Sequence, residues 1–330
     1  MLKDLLFTIN AVMPIVTMVA MGYFLKKLKI ITVGGAKEMN KLVFKLFLPV
    51  LLFLNIYNIE SLSGIKFGYV GFVCAVVVLV FGLAVLTVGF ITDDPKKKGP
   101  WVQATFRSNY ALIGIPLATS IFGATGSALA TILSAFTIPL FNILAVIALG
   151  VYSGGEKKTD IKTIILDIVK NPLIDAIALG GVALLIRAAF VELGIDFRFS
   201  TAKSFEWLYS AATQISKVAT PLALIVLGAN FEFSAIPSMK KEIVSGTLAR
   251  CVISPIIGLS LAFLIGEFSG AEFAAFVSVF GTSVAVSTVP MAQEMDSDAE
   301  LAGQLVVWTT IISAITLFVF IYALRVIGIF

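Results

Sequence analysis

The stretch Arg107-Ser108-Asn109-Tyr110-Ala111-Leu112-Ile113-Gly114-Ile115-Pro116 sets a cation, an amide, a glycine and a proline in an apolar run. Pro116 has no amide hydrogen, so the carbonyl about four residues earlier, near Leu112, loses its helical partner. Gly114 weakens the helix further. Asn109, about two turns before the proline, brings two donors and an acceptor. The spacing predicts a broken helix. Backbone opened in this way at membrane depth persists only inside protein or beside a water-filled cavity. A second stretch follows the same plan: Gly281-Thr282-Ser283, then Ser287-Thr288-Val289-Pro290. An offset of 174 residues places Asn109 on Ser283, Gly114 on Thr288 and Pro116 on Pro290.

The rest of the chain supplies the membrane. Of 330 residues, 59% are hydrophobic and 13% charged, against about half and about one quarter in a soluble domain. The mean hydropathy is +1.03. A soluble core of this length does not grow so apolar. The composition argues against disorder, nucleic-acid binding and a secreted disulfide scaffold. Cys74 and Cys251 sit in apolar runs and read as buried thiols. The absence of histidine removes the commonest general base, zinc ligand and proton relay. No cofactor is expected, and no enzyme signature is found: no P-loop, G-x-S-x-G, H-E-x-x-H or dinucleotide-binding glycine motif. Absence of a P-loop excludes a self-contained ATP pump and leaves a transporter driven by gradients, or a channel.

Spans of about 20 apolar residues are expected at ten places: Phe7–Leu25, Leu42–Tyr57, Phe67–Ile91, Trp101–Phe122, Ser127–Tyr152, Asn171–Phe190, Trp207–Asn230, Ile243–Ile265, Ala271–Gln293 and Ala302–Ile327. We term them TM1 to TM10. TM2 is the weakest, being short and holding Lys45. The loops after TM1, TM3, TM5 and TM7 carry most of the loop lysines, including Lys26, Lys27, Lys96, Lys97, Lys157, Lys158, Lys240 and Lys241. They should be cytoplasmic, which puts both termini outside a plasma (inner) membrane.

Prolines repeat between the halves: Pro14 with Pro172, Pro49 with Pro221, Pro116 with Pro290. The chain therefore reads as two five-span repeats, residues 1–154 and 155–330. Five is odd, so the second repeat is inverted. TM4 and TM9, both broken, should cross near the midplane. Their second halves would offer free amide hydrogens and a positive dipole end to an anion, without a buried cation.

Other polar residues have two readings each. Asp175 is the one carboxylate placed well inside a span and could carry a coupled proton. It also follows Asn171-Pro172, an N-cap with proline at N1, in a first turn that favours negative charge. Glu294 lines an inner vestibule or sits in a solvated turn. Arg107 draws an organic anion inward or snorkels to the headgroups, and Arg250 has the same pair of readings. Asn142, after Pro139, reaches the cavity or a neighbouring helix. Asn55 and Gln214 read as interhelical hydrogen-bond partners.

The order Asn109-x4-Gly114-x-Pro116, with Leu48-Pro49, Pro139-Leu140-Phe141-Asn142 and Val289-Pro290, resembles the auxin efflux carrier family. That family includes bacterial malonate- and malate-type permeases and the plant PIN-formed auxin exporters. The resemblance implies an all-α integral membrane protein of ten helices as a five-plus-five inverted repeat, similar to the bile acid–sodium symporter architecture. TM1, TM2, TM6 and TM7 would form a scaffold, often dimeric in the family. TM3–TM5 and TM8–TM10 would form the transport domain. Asn109 would contact a substrate carboxylate, and Pro116 and Pro290 would mark the crossing. The link between halves is much shorter than in the plant exporters, and Ser287-Thr288-Val289-Pro290 departs from their second crossover. A small mono- or dicarboxylate is thus expected as cargo of a secondary transporter, with an auxin-like molecule as the other candidate. The alternatives are a sodium-coupled symporter of the bile-acid type, with coupling to proton or sodium open, and a non-transporting sensor or channel.

Overall fold

The computed structural model describes residues 2–58, 67–153, 170–192 and 206–330. The expected repeat boundary at Gly154–Gly155 and the loop residues Lys157 and Lys158 lie outside the described residues. The described chain is helical: α1 (Leu2–Lys27), α2 (Val33–Leu42), α3 (Leu48–Tyr57), α4 (Phe67–Ile91), α5 (Pro95–Phe106), α6 (Ile115–Ser153), α7 (Pro172–Glu192), α8 (Glu206–Asn230), α9 (Lys240–Leu248), α10 (Ser254–Ile265), α11 (Gly270–Gly281), α12 (Thr288–Glu294) and α13 (Ala299–Val326). Among the described residues, the only β-type pairing is one isolated bridge, Ser108 with Val284. Among the described residues, seven helical runs are long and apolar enough to cross a membrane: Val33–Tyr57, Phe67–Ile91, Tyr110–Tyr152, Pro172–Val191, Glu206–Asn230, Pro237–Ile265 and Ala299–Val326.

Three prolines leave one signature. Pro49, Pro116 and Pro255 each stand two residues after a π-helical turn, at Val43–Phe47, Tyr110–Gly114 and Ala249–Ile253. The residue before each proline donates to the carbonyl five back: Leu48 to Val43, Ile115 to Tyr110, Ser254 to Ala249. In a regular helix the proline ring would meet the carbonyl four residues back. Widening the turn moves that carbonyl aside. The helix therefore continues through Pro116 without unwinding. The unwound residues come earlier, at 107–109.

The α6 element is two arms. Phe122 and Gly123 leave helical geometry, and Gly123 has φ +57°, a conformation open to glycine. The arms fold back on each other: Tyr110 donates through its hydroxyl to the carbonyl of Ala130 at 3.0 Å. Elsewhere α1 packs on α8, and α3 on α7 and α8. The α1–α8 contact is backbone to backbone, since a Cβ at Gly22 would collide with Ile225 and one at Gly228 with Val19. A second group forms where α4 and α6 pack on α5, α11 on α6 and α10, and α13 on α5, α9 and α12. The α13 helix also reaches α1.

Candidate functional site

The site is where two helix interruptions meet. The α5 helix ends at Phe106, and Arg107 is extended at φ −84°, ψ 108°. The α11 helix ends at Gly281, and Thr282 is extended at φ −74°, ψ 158°. The freed segments pair antiparallel. Asn109 donates its amide to the Ser283 carbonyl at 2.7 Å, and Ala285 donates to the Arg107 carbonyl at 3.4 Å. Thr309 of α13 closes the other edge, its Oγ1 accepting from the Val284 amide at 3.1 Å. Backbone groups that a helix would have satisfied are thus satisfied by the opposite break.

Two arginines occupy the crossing. Arg250, in the π-turn between α9 and α10, is fully buried. Its Nε donates to the Thr282 carbonyl and one Nη to Val279, both at 2.7 Å; the other Nη reaches Phe106 at 3.1 Å and Thr105 at 3.3 Å. One guanidinium thus caps the ends of α5 and α11 together, where unpaired carbonyls and the negative dipole end favour a cation. It neither snorkels nor faces the cavity.

Arg107 is 3% exposed. Its guanidinium donates to Gln103 Oε1, Asn142 Oδ1 and Ser287 Oγ, each at 2.8 Å, and lies against the Met291 sulfur. Asn142 is held in turn by its own Nδ2, donating to the Ile138 carbonyl at 2.8 Å, in the turn before it on α6. Every partner of Arg107 is neutral. This corrects the expectation of a crossing without a buried cation, and Arg107 does not reach the headgroups.

A cavity of about 80 Å³ opens on this face. Arg107, Ser108, Asn109, Asn142 and Ser287 supply its polar wall; Leu48, Leu51 and Leu52 of α3, Phe141 and Ala223 supply apolar wall. The Asn109 Nδ2 and the Ser108 hydroxyl are buried without a hydrogen-bond partner among the described residues. The polar wall is therefore donor-rich: a guanidinium, an amide NH2 and a free hydroxyl. A carboxylate only accepts.

Apart from Asn55, the other predicted residues lie away from this cavity. Gly114 packs under the Tyr110 ring, where a Cβ would collide with it. Pro116 is exposed on α6, whereas Ser283, Thr288 and Pro290 are buried behind the crossing. The hydroxyls of Ser283 and Thr288 have no hydrogen-bond partner among the described residues. Asp175 is exposed in the first turn of α7, whose N-cap is made by Asn171: its Oδ1 accepts from the Leu173 amide at 3.0 Å. Glu294 ends α12 and lines a separate cavity with Lys45 and Lys170. Asn55 lines the crossover cavity and makes no interhelical side-chain hydrogen bond among the described residues. Among the described residues, Gln214 reaches only Ser210 on its own helix, at 3.4 Å. Gln103 and Thr309 were not singled out in the sequence; four-residue spacing from Arg107 was the available signal for Gln103.

The family model described as "Membrane transport protein" matches residues 7–321. The chain belongs to this auxin efflux carrier-like family. It is 26% identical over 316 residues to an uncharacterized transporter of Methanothermobacter thermautotrophicus, covering 93% of this chain and 95% of the relative. It is 24% identical over 314 residues to an uncharacterized transporter of Methanocaldococcus jannaschii, covering 93% and 96%. The protein is thus a multi-pass membrane transporter and not an enzyme.

Proposed function

We propose that the chain is a secondary transporter that carries a small organic anion, a mono- or dicarboxylate, across the plasma membrane by alternating access. One observation carries this reading: the Arg107 guanidinium is buried at the crossing, lines the cavity and touches only neutral groups. An uncompensated buried charge costs several kcal/mol. An anion entering the cavity would remove that cost and would also accept from Asn109 Nδ2 and the Ser108 hydroxyl. The amides that open the helix at Tyr110 add a positive dipole end to the same wall.

In this reading the interrupted runs complete ten crossings in two inverted sets of five, with both termini outside. The α1, α2–α3, α7 and α8 group is the scaffold. The group around the crossing moves against it, carrying the cavity from one face to the other. Ser283, Thr288, Gly114, Pro116 and Pro290 then shape the crossing behind the ligand, while Arg107, Asn109 and Asn142 form its first contacts.

The test is a thermal-shift screen of the purified protein against mono- and dicarboxylates, indole-3-acetate and bile acids, with and without sodium. A ligand that binds only the folded state raises the melting temperature. A sodium-independent shift with a small carboxylate, lost in Arg107→Gln, supports the anion carrier. A shift that needs sodium supports the symporter. No shift with any carboxylate overturns the anion reading.

A further inference from the structure

Two lysines lie within helical runs of 25 residues each: Lys217 near the middle of Glu206–Asn230, and Lys45 in Val33–Tyr57, one turn into the apolar part that follows the polar Val33–Leu42. A residue at mid-bilayer is about 15 Å from either edge of the hydrocarbon, too far for its own stem to span. A charge there needs a partner or a water-filled cavity. Both side chains are exposed, and neither has an ion-pair partner among the described residues.

Each lines a cavity of its own. Lys217 faces one of about 440 Å³, beside Pro14 and Ser216. That cavity shares Leu51, Leu112 and Thr220 with the crossover cavity. Lys45 faces one of about 680 Å³, beside Phe44 and Pro172. Pro172 there is next to Leu173, a wall of the crossover cavity. The second cavity also holds Lys170, Glu294 and Asp296, and Asp296 is already engaged by Lys96 at 2.8 Å.

The two places are related. Each lysine stands four residues before a proline, as Lys45-x3-Pro49 and Lys217-x3-Pro221, 172 positions apart. The same offset maps Phe44 onto Ser216, which line the respective outer cavities, and Leu48 onto Thr220 and Leu51 onto Ala223, which line the crossover cavity. Pro14 and Pro172, the paired prolines of the first helices of each half, also fall one in each outer cavity. Positions that match by sequence offset thus recur at matching places around the crossing.

We propose that Lys45 and Lys217 are paired entrance sites for small anions, one on each side of the crossover. Each holds an incoming carboxylate before it reaches Arg107. This rests on the anion-carrier reading above. The two lysines belong to opposite repeats, so the inverted relation puts one at each mouth. The positive potential of Lys217 concentrates anions at a mostly apolar wall, and that of Lys45 adds to Lys170 in a wall that also holds Glu294 and Asp296.

The experiment uses the full chain in oriented membrane vesicles, with Cys74→Ala and Cys251→Ala. Lys45→Cys and Lys217→Cys are each treated from either face with a membrane-impermeant thiosulfonate. Each is expected to react from one face only, and the two from opposite faces. No reaction at either position, or reaction at both from the same face, overturns the proposal. A second arm keeps Lys217 and places the reporter one turn away, as Thr220→Cys. The rate ratio of an anionic to a cationic thiosulfonate should fall about tenfold when Lys217→Gln is added. An unchanged ratio, or a reporter that no reagent reaches, overturns the anion role. The labelling does not depend on the carboxylate screen. If no carboxylate shifts the melting while the labelling behaves as expected, it is the Arg107 reading that fails.

Discussion

The backbone amide of Asn109 donates to the carbonyl oxygen of Ser283 over 2.7 Å. These residues are 174 positions apart, the offset that also places Pro116 on Pro290. With the Ala285 amide donating to the Arg107 carbonyl at 3.4 Å, the bond closes an antiparallel pair around the Ser108–Val284 bridge. The bond uses only main-chain atoms, so it leaves the side chain of Asn109, a residue of the cavity wall, uncommitted, and its buried Nδ2 has no hydrogen-bond partner among the described residues.

Asn109→Ala should therefore keep the fold and lose the ligand. The crossing bond survives, since alanine retains the amide. A hydrogen bond to a charged group contributes about 1.5–3 kcal/mol, so carboxylate affinity should drop by roughly 10- to 100-fold. Melting of the ligand-free protein should barely change. Wild-type affinity in this variant, read by titration of the thermal shift, would take Asn109 out of the site.

Arg250→Lys should be among the most damaging single changes outside the cavity. The guanidinium serves four carbonyls from two helix ends at once, and an ammonium on a shorter fork cannot reach all of them. Each buried carbonyl left unmet costs about 1–3 kcal/mol. The expected outcome is a large fall in melting temperature, measured in detergent without ligand. Full stability would mean that the capping bonds contribute little.

Which parts of this site could be read from the chain follows from the physics of each residue. Broken helices in the TM4 and TM9 regions were legible because proline, glycine and small polar residues act locally. The place of the first break was not. Pro116 is accommodated by a widened turn, and the unwinding moved to residues 107–109, where Ser283 and Ala285 supply the missing backbone partners. Those partners lie over 170 positions away in the chain. Arg107 and Arg250 had equal claims in sequence, since each lies in an apolar run. Only the fold tells apart one that caps helix ends from one that borders a cavity. Lys45 counted against TM2 as a span. The helix in fact extends back to Val33, and the lysine borders a cavity from the middle of it.

Gly22→Leu and Gly228→Leu should each weaken the α1–α8 contact. A Cβ at either position meets backbone atoms of the other helix, which cannot rotate away. Overpacking of this kind costs about 1–3 kcal/mol or more. Gly68→Ala is the control, with open space at its Cβ. Lower melting in both leucine variants and none in the control is the expected pattern.

Asp175→Asn decides between a proton carrier and a helix-end charge. The carboxylate is exposed in the first turn of α7, beneath the Asn171 cap, and does not line the crossover cavity. A negative charge in that turn gains about 0.3–1 kcal/mol from the helix dipole, and asparagine forfeits most of it. The variant should therefore melt slightly lower. Its transport rate should keep the wild-type pH profile, because no proton of the transport cycle would reside on this group. Loss of the pH dependence with unchanged melting would give Asp175 the coupling role instead, and would place the proton path along α7 and away from the crossing.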